Sequence, residues 1–123
     1  MTTARQLIQE AKSKVRCIDL SQARELIKAG DITLLDVREK VENDAGHIEG
    51  SFHISRGVLE MQIENNPAFK GRDAAIIVYC KSGGRSALAA ATLQGMGFSN
   101  LYSLEGGFDA WSKDQAIPEG IND

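Results

Sequence analysis

Proline is nearly absent from this chain: of 123 residues only Pro67 and Pro118 are proline. With no low-complexity tract and an ordinary apolar content, that scarcity excludes a disordered or linker-like chain. Cysteine is equally scarce, with Cys17 and Cys80 alone, which excludes a disulfide-built scaffold. One bridge is arithmetically open, but neither spacing nor expected compartment favours it, and both are read as reduced thiols. The two histidines, His47 and His53, lack cysteine or carboxylate partners at ligand spacing, so no metal site is expected. No apolar run approaches the roughly 20 residues that cross a bilayer. Residues Met1 to Lys14 carry Glu10 and lack the apolar core of a leader. A cytoplasmic protein with no membrane partner is expected. Basic charge is also in short supply: 14 Lys and Arg against 17 Asp and Glu give a net charge of −3, which leaves no general basic surface for nucleic acid. Any anion site must be local.

What is present is the pattern of one α/β domain. A chain of 123 residues can bury a single core. Thr3-Ala4-Arg5-Gln6 has the form of a capping box, and Leu7, Ile8, Ala11 and Val15 then recur at helical spacing. This predicts an N-terminal helical extension over residues 1–14, outside a main domain over residues 15–118. A short strand over Val15–Ile18 leads to a second helix started by Asp19 and Gln22 and ended by Gly30. Further strands are expected over Ile32–Val37, Ser51–Ile54, Ala75–Tyr79 and Asn100–Ser103. Helices are expected over Lys40–Ala45, Val58–Ile63, Ser86–Met96 and Phe108–Ser112. Asn65-Asn66-Pro67 is linker-like but too brief to divide domains. Alternating strands and helices imply an open sandwich: a mainly parallel central sheet of about five strands with helices on both faces. Ligands of such sheets sit beyond the carboxyl ends of strands, where both Asp36–Arg38 and Cys80–Arg85 fall.

The second of these segments carries the chemistry. Cys80-Lys81-Ser82-Gly83-Gly84-Arg85-Ser86 follows the apolar run Ala75–Tyr79 and precedes the helix-forming Ala87-Leu88-Ala89-Ala90-Ala91. A buried strand, a two-glycine turn and a helix start bring successive backbone N–H groups around one point, where the helix dipole also favours negative charge. With Lys81 and Arg85 adjacent, Cys80 is expected to ionise below the range of a free thiol and to act as a nucleophile. A buried, inert cysteine closing a strand is the plain alternative.

Three separated motifs give the chain a resemblance to the rhodanese (thiosulfate sulfurtransferase) family in its single-domain form. Leu34-Leu35-Asp36-Val37-Arg38-Glu39 running into Gly46-His47-Ile48-Glu49-Gly50-Ser51 is similar to the family's Asp-x-Arg and Gly-His-Ile-x-Gly-Ala. Cys80 to Ser86 is similar to its active-site loop, and Leu104-Glu105-Gly106-Gly107-Phe108-Asp109-Ala110-Trp111 to its Gly-Gly-x-x-Ala-Trp signature. The resemblance implies a rhodanese-like α/β fold and a two-step transfer needing no cofactor. Cys80 would take the outer sulfur of thiosulfate or a similar small-molecule donor, hold it as a persulfide and pass it to cyanide or a thiol. The loop residues Lys81, Ser82, Gly83, Gly84, Arg85 and Ser86 would bind the donor, the two cations offsetting its sulfonate charge, with Asp36 and Arg38 as supports. Asn43, Lys40, Ser51 and Ser55 depart from the family pattern, which bears on packing after Arg38 rather than on the loop.

Rival readings differ in what they need. Cysteine-dependent phosphatases resemble Cys-x5-Arg, whereas this chain has Cys-x4-Arg. Losing one residue, about 3.3–3.6 Å of chain, shrinks the ring to suit sulfur rather than phosphate. Two more rivals are a persulfide carrier serving protein partners in a sulfur relay and a noncatalytic rhodanese-like binding module. Intact Cys80 and its cradle argue against the binding module. Surface ion pairing is the plain reading of Asp36 and Arg38. His47 is expected to order its glycine loop, Gly106 and Gly107 to permit a tight turn, Trp111 to pack the last helix on the sheet, Cys17 to be inert, and Arg56 to reach the pocket rim.

Overall fold

The computed structural model describes residues 1–115; the domain end expected at 118 lies outside them. Helix α1 (Ala4–Lys14) begins at a reciprocal capping box: Thr3 Oγ1 accepts from the Gln6 N–H at 3.1 Å and Gln6 Oε1 from the Thr3 N–H at 2.8 Å. Strand β1 (Arg16–Ile18) follows. Asp19 and Gln22 then start α2 (Leu20–Ala29) in the same way, and Gly30, at φ +85°, ends it. Next come β2 (Ile32–Asp36), α3 (Lys40–Ala45), β3 (Phe52–His53) and α4 (Leu59–Ile63). The remaining elements are β4 (Ala75–Tyr79), α5 (Gly84–Gly95), β5 (Leu101–Leu104) and α6 (Gly107–Gln115).

The five strands form one parallel sheet in the order β1-β5-β4-β2-β3. β4 is paired on both edges and covered on both faces, which is why its sequence, Ala-Ile-Ile-Val-Tyr, is apolar throughout instead of alternating. Ile76 and Val78 turn to a core shared with Leu59 and Ile63 of α4 and Ala89, Ala90 and Leu93 of α5. Ile77 and Tyr79 turn to the opposite core, with Ala23 of α2 and Phe108 and Trp111 at α6. Continuing that alternation, Cys80 faces the α5 side. α1 lies along α5 with Ile8 and Ala11 turned to its own domain and Leu7 left half exposed: a Cβ on Gly84 would stand only 3.1 Å from Ile8 Cδ1.

The α/β open sandwich is as expected, with several boundaries displaced. Helix α5 starts at Gly84, not Ser86, because Gly83 at φ +115° turns the chain one residue ahead of it. The expected helix over Val58–Ile63 is a 3-10 turn, Arg56–Val58, running into α4. Asn65-Asn66-Pro67 opens a further 3-10 turn, Pro67–Phe69, in which the Asn66 side chain accepts from the Ala68 N–H at 2.9 Å.

Candidate active site

Cys80 leaves the carboxyl end of β4 and is 1% exposed. Its Sγ accepts the Gly83 N–H at 3.1 Å and the Ser86 N–H at 3.3 Å. Both bonds depend on Gly83, whose left-handed backbone aims the two N–H groups inward at the start of α5. Below the sulfur lie two fully buried hydroxyls: Ser86 Oγ, 3.6 Å from Sγ, and Ser103 Oγ of β5, 2.8 Å from Ser86 Oγ. Ser86 Oγ also reaches the Gly83 carbonyl at 3.2 Å. With Ser103 donating to it, the Ser86 hydroxyl can turn its one proton to that carbonyl or to an anionic sulfur.

The start of α6 clamps the same loop from the other side. The Phe108 N–H donates to the Cys80 carbonyl at 2.8 Å and the Asp109 N–H to that of Lys81 at 3.0 Å. Gly107, at φ +54°, lets the two segments meet: a Cβ there would overlap the Cys80 carbonyl oxygen and lie 2.6 Å from the carbonyl carbon of Lys81. Gly107 thus shapes the Cys80 loop itself, beyond the tight turn expected of it.

The two loop cations are not free. Arg85 is held by Glu42 of α3 through two bonds, Nη1 to Oε1 at 2.7 Å and Nη2 to Oε2 at 3.0 Å. Glu42 Oε1 also caps α3 by accepting the Glu39 N–H at 3.0 Å. The Arg85 hydrogen bonds hold the Glu42 carboxyl down at about 2. Lys81 Nζ contacts both Asp109 oxygens, at 3.1 and 2.9 Å. Each of the two cations expected to offset a donor's charge thus already faces a carboxylate. Ser82 is exposed, Gly83 and Ser86 are buried, and Gly84 is half-buried.

Asp36 and Arg38 are buried, at 0% and 4% exposure, so they are not a surface pair. Asp36 accepts from Arg38 Nε and Nη2 and from Asn43 Nδ2, while Arg38 Nη2 donates to the Gly46 carbonyl at 2.6 Å. Burial pushes the Asp36 carboxyl up, but the bonds from Arg38 and Asn43 outweigh it and hold it below the carboxylate range. The Arg38 guanidinium stacks 4.5 Å from the Phe108 ring, linking the end of β2 to α6. Beside them, the Tyr79 hydroxyl accepts the Ile48 N–H at 3.0 Å and meets Ser51 Oγ at 2.8 Å, fixing the Gly46–Ser51 loop. His47 Nδ1 contacts the Asn43 carbonyl at 3.0 Å and His53 Nε2 that of Arg38 at 2.7 Å. Arg56 binds Thr92 of α5 and Glu60 of α4. Burial pushes the Cys17 thiol up, and Glu105 adds to this. Trp111 packs against the α2-side core under the Arg24 guanidinium.

The chain that carries this loop has counterparts among known proteins. The family described as the Rhodanese-like domain matches residues 19–114. The chain belongs to that family. It is 39% identical over 99 residues to thiosulfate sulfurtransferase GlpE of Ectopseudomonas mendocina, covering 80% of this chain and 86% of that protein. Among solved structures, a Rhodopseudomonas palustris protein of unknown function, described as a possible tyrosine phosphatase, is 35% identical with a TM-score of 0.86, covering 97% of this chain and 96% of that one. The polysulfide-sulfur transferase homodimer of Wolinella succinogenes is 29% identical with a TM-score of 0.73, covering 94% and 88%. A rhodanese-like sulfurtransferase is thus the class to which fold and relatives assign the chain. The described residues contain no helix long and apolar enough to cross a membrane. They also contain no group of His, Cys, Asp and Glu arranged to hold a metal ion.

Proposed function

We propose that this protein moves a sulfane sulfur from thiosulfate or a similar donor to cyanide or a thiol through a persulfide on Cys80. The observation that carries this is the pair of backbone N–H groups, Gly83 and Ser86, directed at Cys80 Sγ from the N-cap and first turn of α5. Donors fixed in the backbone stabilise a thiolate before transfer and a persulfide anion after it, with no reorganisation between steps. The thiolate attacks the outer sulfur of the donor and the S–S bond breaks. With thiosulfate, sulfite departs with the bonding pair and Cys80–S–S⁻ remains; cyanide then removes the outer sulfur as thiocyanate and restores the thiolate. The Ser86 hydroxyl, by turning toward sulfur, adds a third donor when the charge is present.

A phosphatase reading, prompted by the Rhodopseudomonas relative, is disfavoured by two features. The ring is Cys-x4-Arg, and its arginine already spends both terminal nitrogens on Glu42. A phosphoryl dianion would have to displace that carboxylate before it could be gripped. The test of sulfur transfer is intact mass after anaerobic incubation with thiosulfate or a persulfide, then with cyanide. One sulfur gained, removed by cyanide and absent from Cys80→Ser, is the expected result. No sulfur from either donor overturns the proposal.

A further inference from the structure

We infer that Glu42 is a specificity-determining residue that biases the Cys80 site against dianionic thiosulfate and toward persulfides of low charge, such as a cysteine-type persulfide. This rests on the sulfurtransferase reading above and deepens it. The mouth of the loop carries two cations, Lys81 and Arg85, and each is matched by a carboxylate from outside the loop, Asp109 and Glu42. Those four charges sum to zero. Glu39, at the N-terminus of α3, adds a negative charge that Arg85 senses. Arg38 offers no substitute, because its Nε and Nη2 are spent on Asp36 and the Gly46 carbonyl.

The two masks differ in strength. Lys81 and Asp109 are 62% and 46% exposed, so solvent screens them and Lys81 can swing away. Arg85 and Glu42 are more enclosed, at 36% and 27%, and joined by two parallel bonds. Glu42 is further fixed by the Glu39 N–H, so it cannot withdraw without uncapping α3. A thiosulfate sulfonate seeking Arg85 meets a rigid, fully ionised competitor.

A persulfide has no such need. In the step Cys80–S⁻ plus R–S–SH giving Cys80–S–SH plus R–S⁻, the S–S bond of the donor breaks and a new one forms to Cys80. The R–S⁻ thiolate leaves with the bonding pair, and no oxidant or reductant is consumed. The negative charge that matters is on sulfur, and the Gly83 and Ser86 N–H groups serve it without any side-chain cation.

The experiment compares kcat/KM for thiosulfate and for cysteine persulfide, with sulfur loading on Cys80 read by intact mass, in the native chain, Glu42→Gln, Glu42→Asp and Asp109→Asn. The glutamine keeps the cap to the Glu39 N–H and removes the charge. Native protein is expected to load faster from cysteine persulfide. Glu42→Gln should raise kcat/KM for thiosulfate on the order of tenfold, mainly through KM, and leave the persulfide value within about twofold. Glu42→Asp, which keeps the charge but is one methylene short of the two Arg85 bonds, should fall between native and Glu42→Gln, and Asp109→Asn should shift thiosulfate in the same direction by less than Glu42→Gln. Equal thiosulfate efficiency in native and Glu42→Gln proteins of native-like circular dichroism, or a native preference for thiosulfate, overturns the inference while leaving sulfur transfer intact. Loading from neither donor overturns the sulfurtransferase reading itself, and the inference with it.

Discussion

Replacing Gly107 by alanine tests whether the start of α6 builds the Cys80 loop or merely neighbours it. The added Cβ would overlap the Cys80 carbonyl oxygen and lie 2.6 Å from the Lys81 carbonyl carbon and oxygen, where real Cβ contacts stay beyond 3.0 Å. Relief requires the two segments to part by roughly half an ångström or more. That parting strains the Phe108 and Asp109 N–H bonds to the Cys80 and Lys81 carbonyls, each contributing about 1 kcal/mol. Holding alanine in the left-handed region costs about 1–2 kcal/mol besides. The sum is a destabilisation of about 3–4 kcal/mol, read by urea denaturation. Displacement on that scale at a reacting thiol should also slow sulfur loading about ten- to a hundredfold, read by quenched-flow mass spectrometry. Gly97→Ala is the control. Gly97 has φ +98° with nothing within 4 Å of its Cβ position, so the substitution should cost only the backbone term of about 1–2 kcal/mol and leave loading unchanged. If Gly107→Ala is no more destabilising than Gly97→Ala and loads sulfur at the same rate, the clamp argument is wrong.

Three buried or paired groups give outcomes of the same kind. Asp36→Asn leaves Arg38 charged and enclosed without its carboxylate, and should cost about 3–5 kcal/mol in urea denaturation. Tyr79→Phe strands the buried Ile48 N–H and should cost about 1–3 kcal/mol, with amide hydrogen exchange quickening in the 46–51 loop. Glu42 contributes to acid stability: its carboxyl is lowered in the fold from an ordinary 4.5 to about 2, so its contribution is complete above pH 4.5 and lost as pH falls through about 2. Glu42→Gln should therefore flatten the stability-versus-pH curve between those values, and an unchanged slope in acid titration followed by circular dichroism would refute the Arg85 pairing as its cause.

The fold was legible wherever one residue's chemistry decided the outcome locally. Thr3–Gln6 and Asp19–Gln22 each state a helix start, because the side chains satisfy backbone donors within the same turn. The apolar run of β4 states a central strand because both of its faces are covered. Legibility failed where a boundary depended on a backbone angle. Residue types favour a helix from Ser86 onward, yet α5 opens at Gly84, since Gly83 in the left-handed region already turns the chain and lets Gly84 and Arg85 take helical geometry. Val58–Ile63 has the apolar spacing of one helix but is entered through a 3-10 turn, at whose start the Arg56 N–H donates to the Val37 carbonyl at 3.1 Å.

In the candidate site the division falls between backbone and side chain. The N–H cradle could be anticipated from order alone, because a strand end, a glycine turn and a helix start bring successive amides around one point. The charge state of the rim could not. Its outcome depends on Glu42, 43 positions before Arg85, and on Asp109, 28 positions after Lys81, and no local pattern tells which carboxylates the topology will return to the loop. The same holds for Ser103, brought under Ser86 only by the pairing of β4 with β5. This division has a chemical consequence. On the proposed mechanism, stabilisation of the sulfur anion falls to backbone amides that most side-chain substitutions leave in place, whereas recognition of the rest of the donor falls to paired charges that a single substitution can unmask. Sulfur chemistry at Cys80 should therefore tolerate changes at Glu42 and Asp109 that rewrite which donor is preferred, and apart from loss of the thiol itself, as in Cys80→Ser, only changes that move the loop's backbone should abolish transfer from every donor at once.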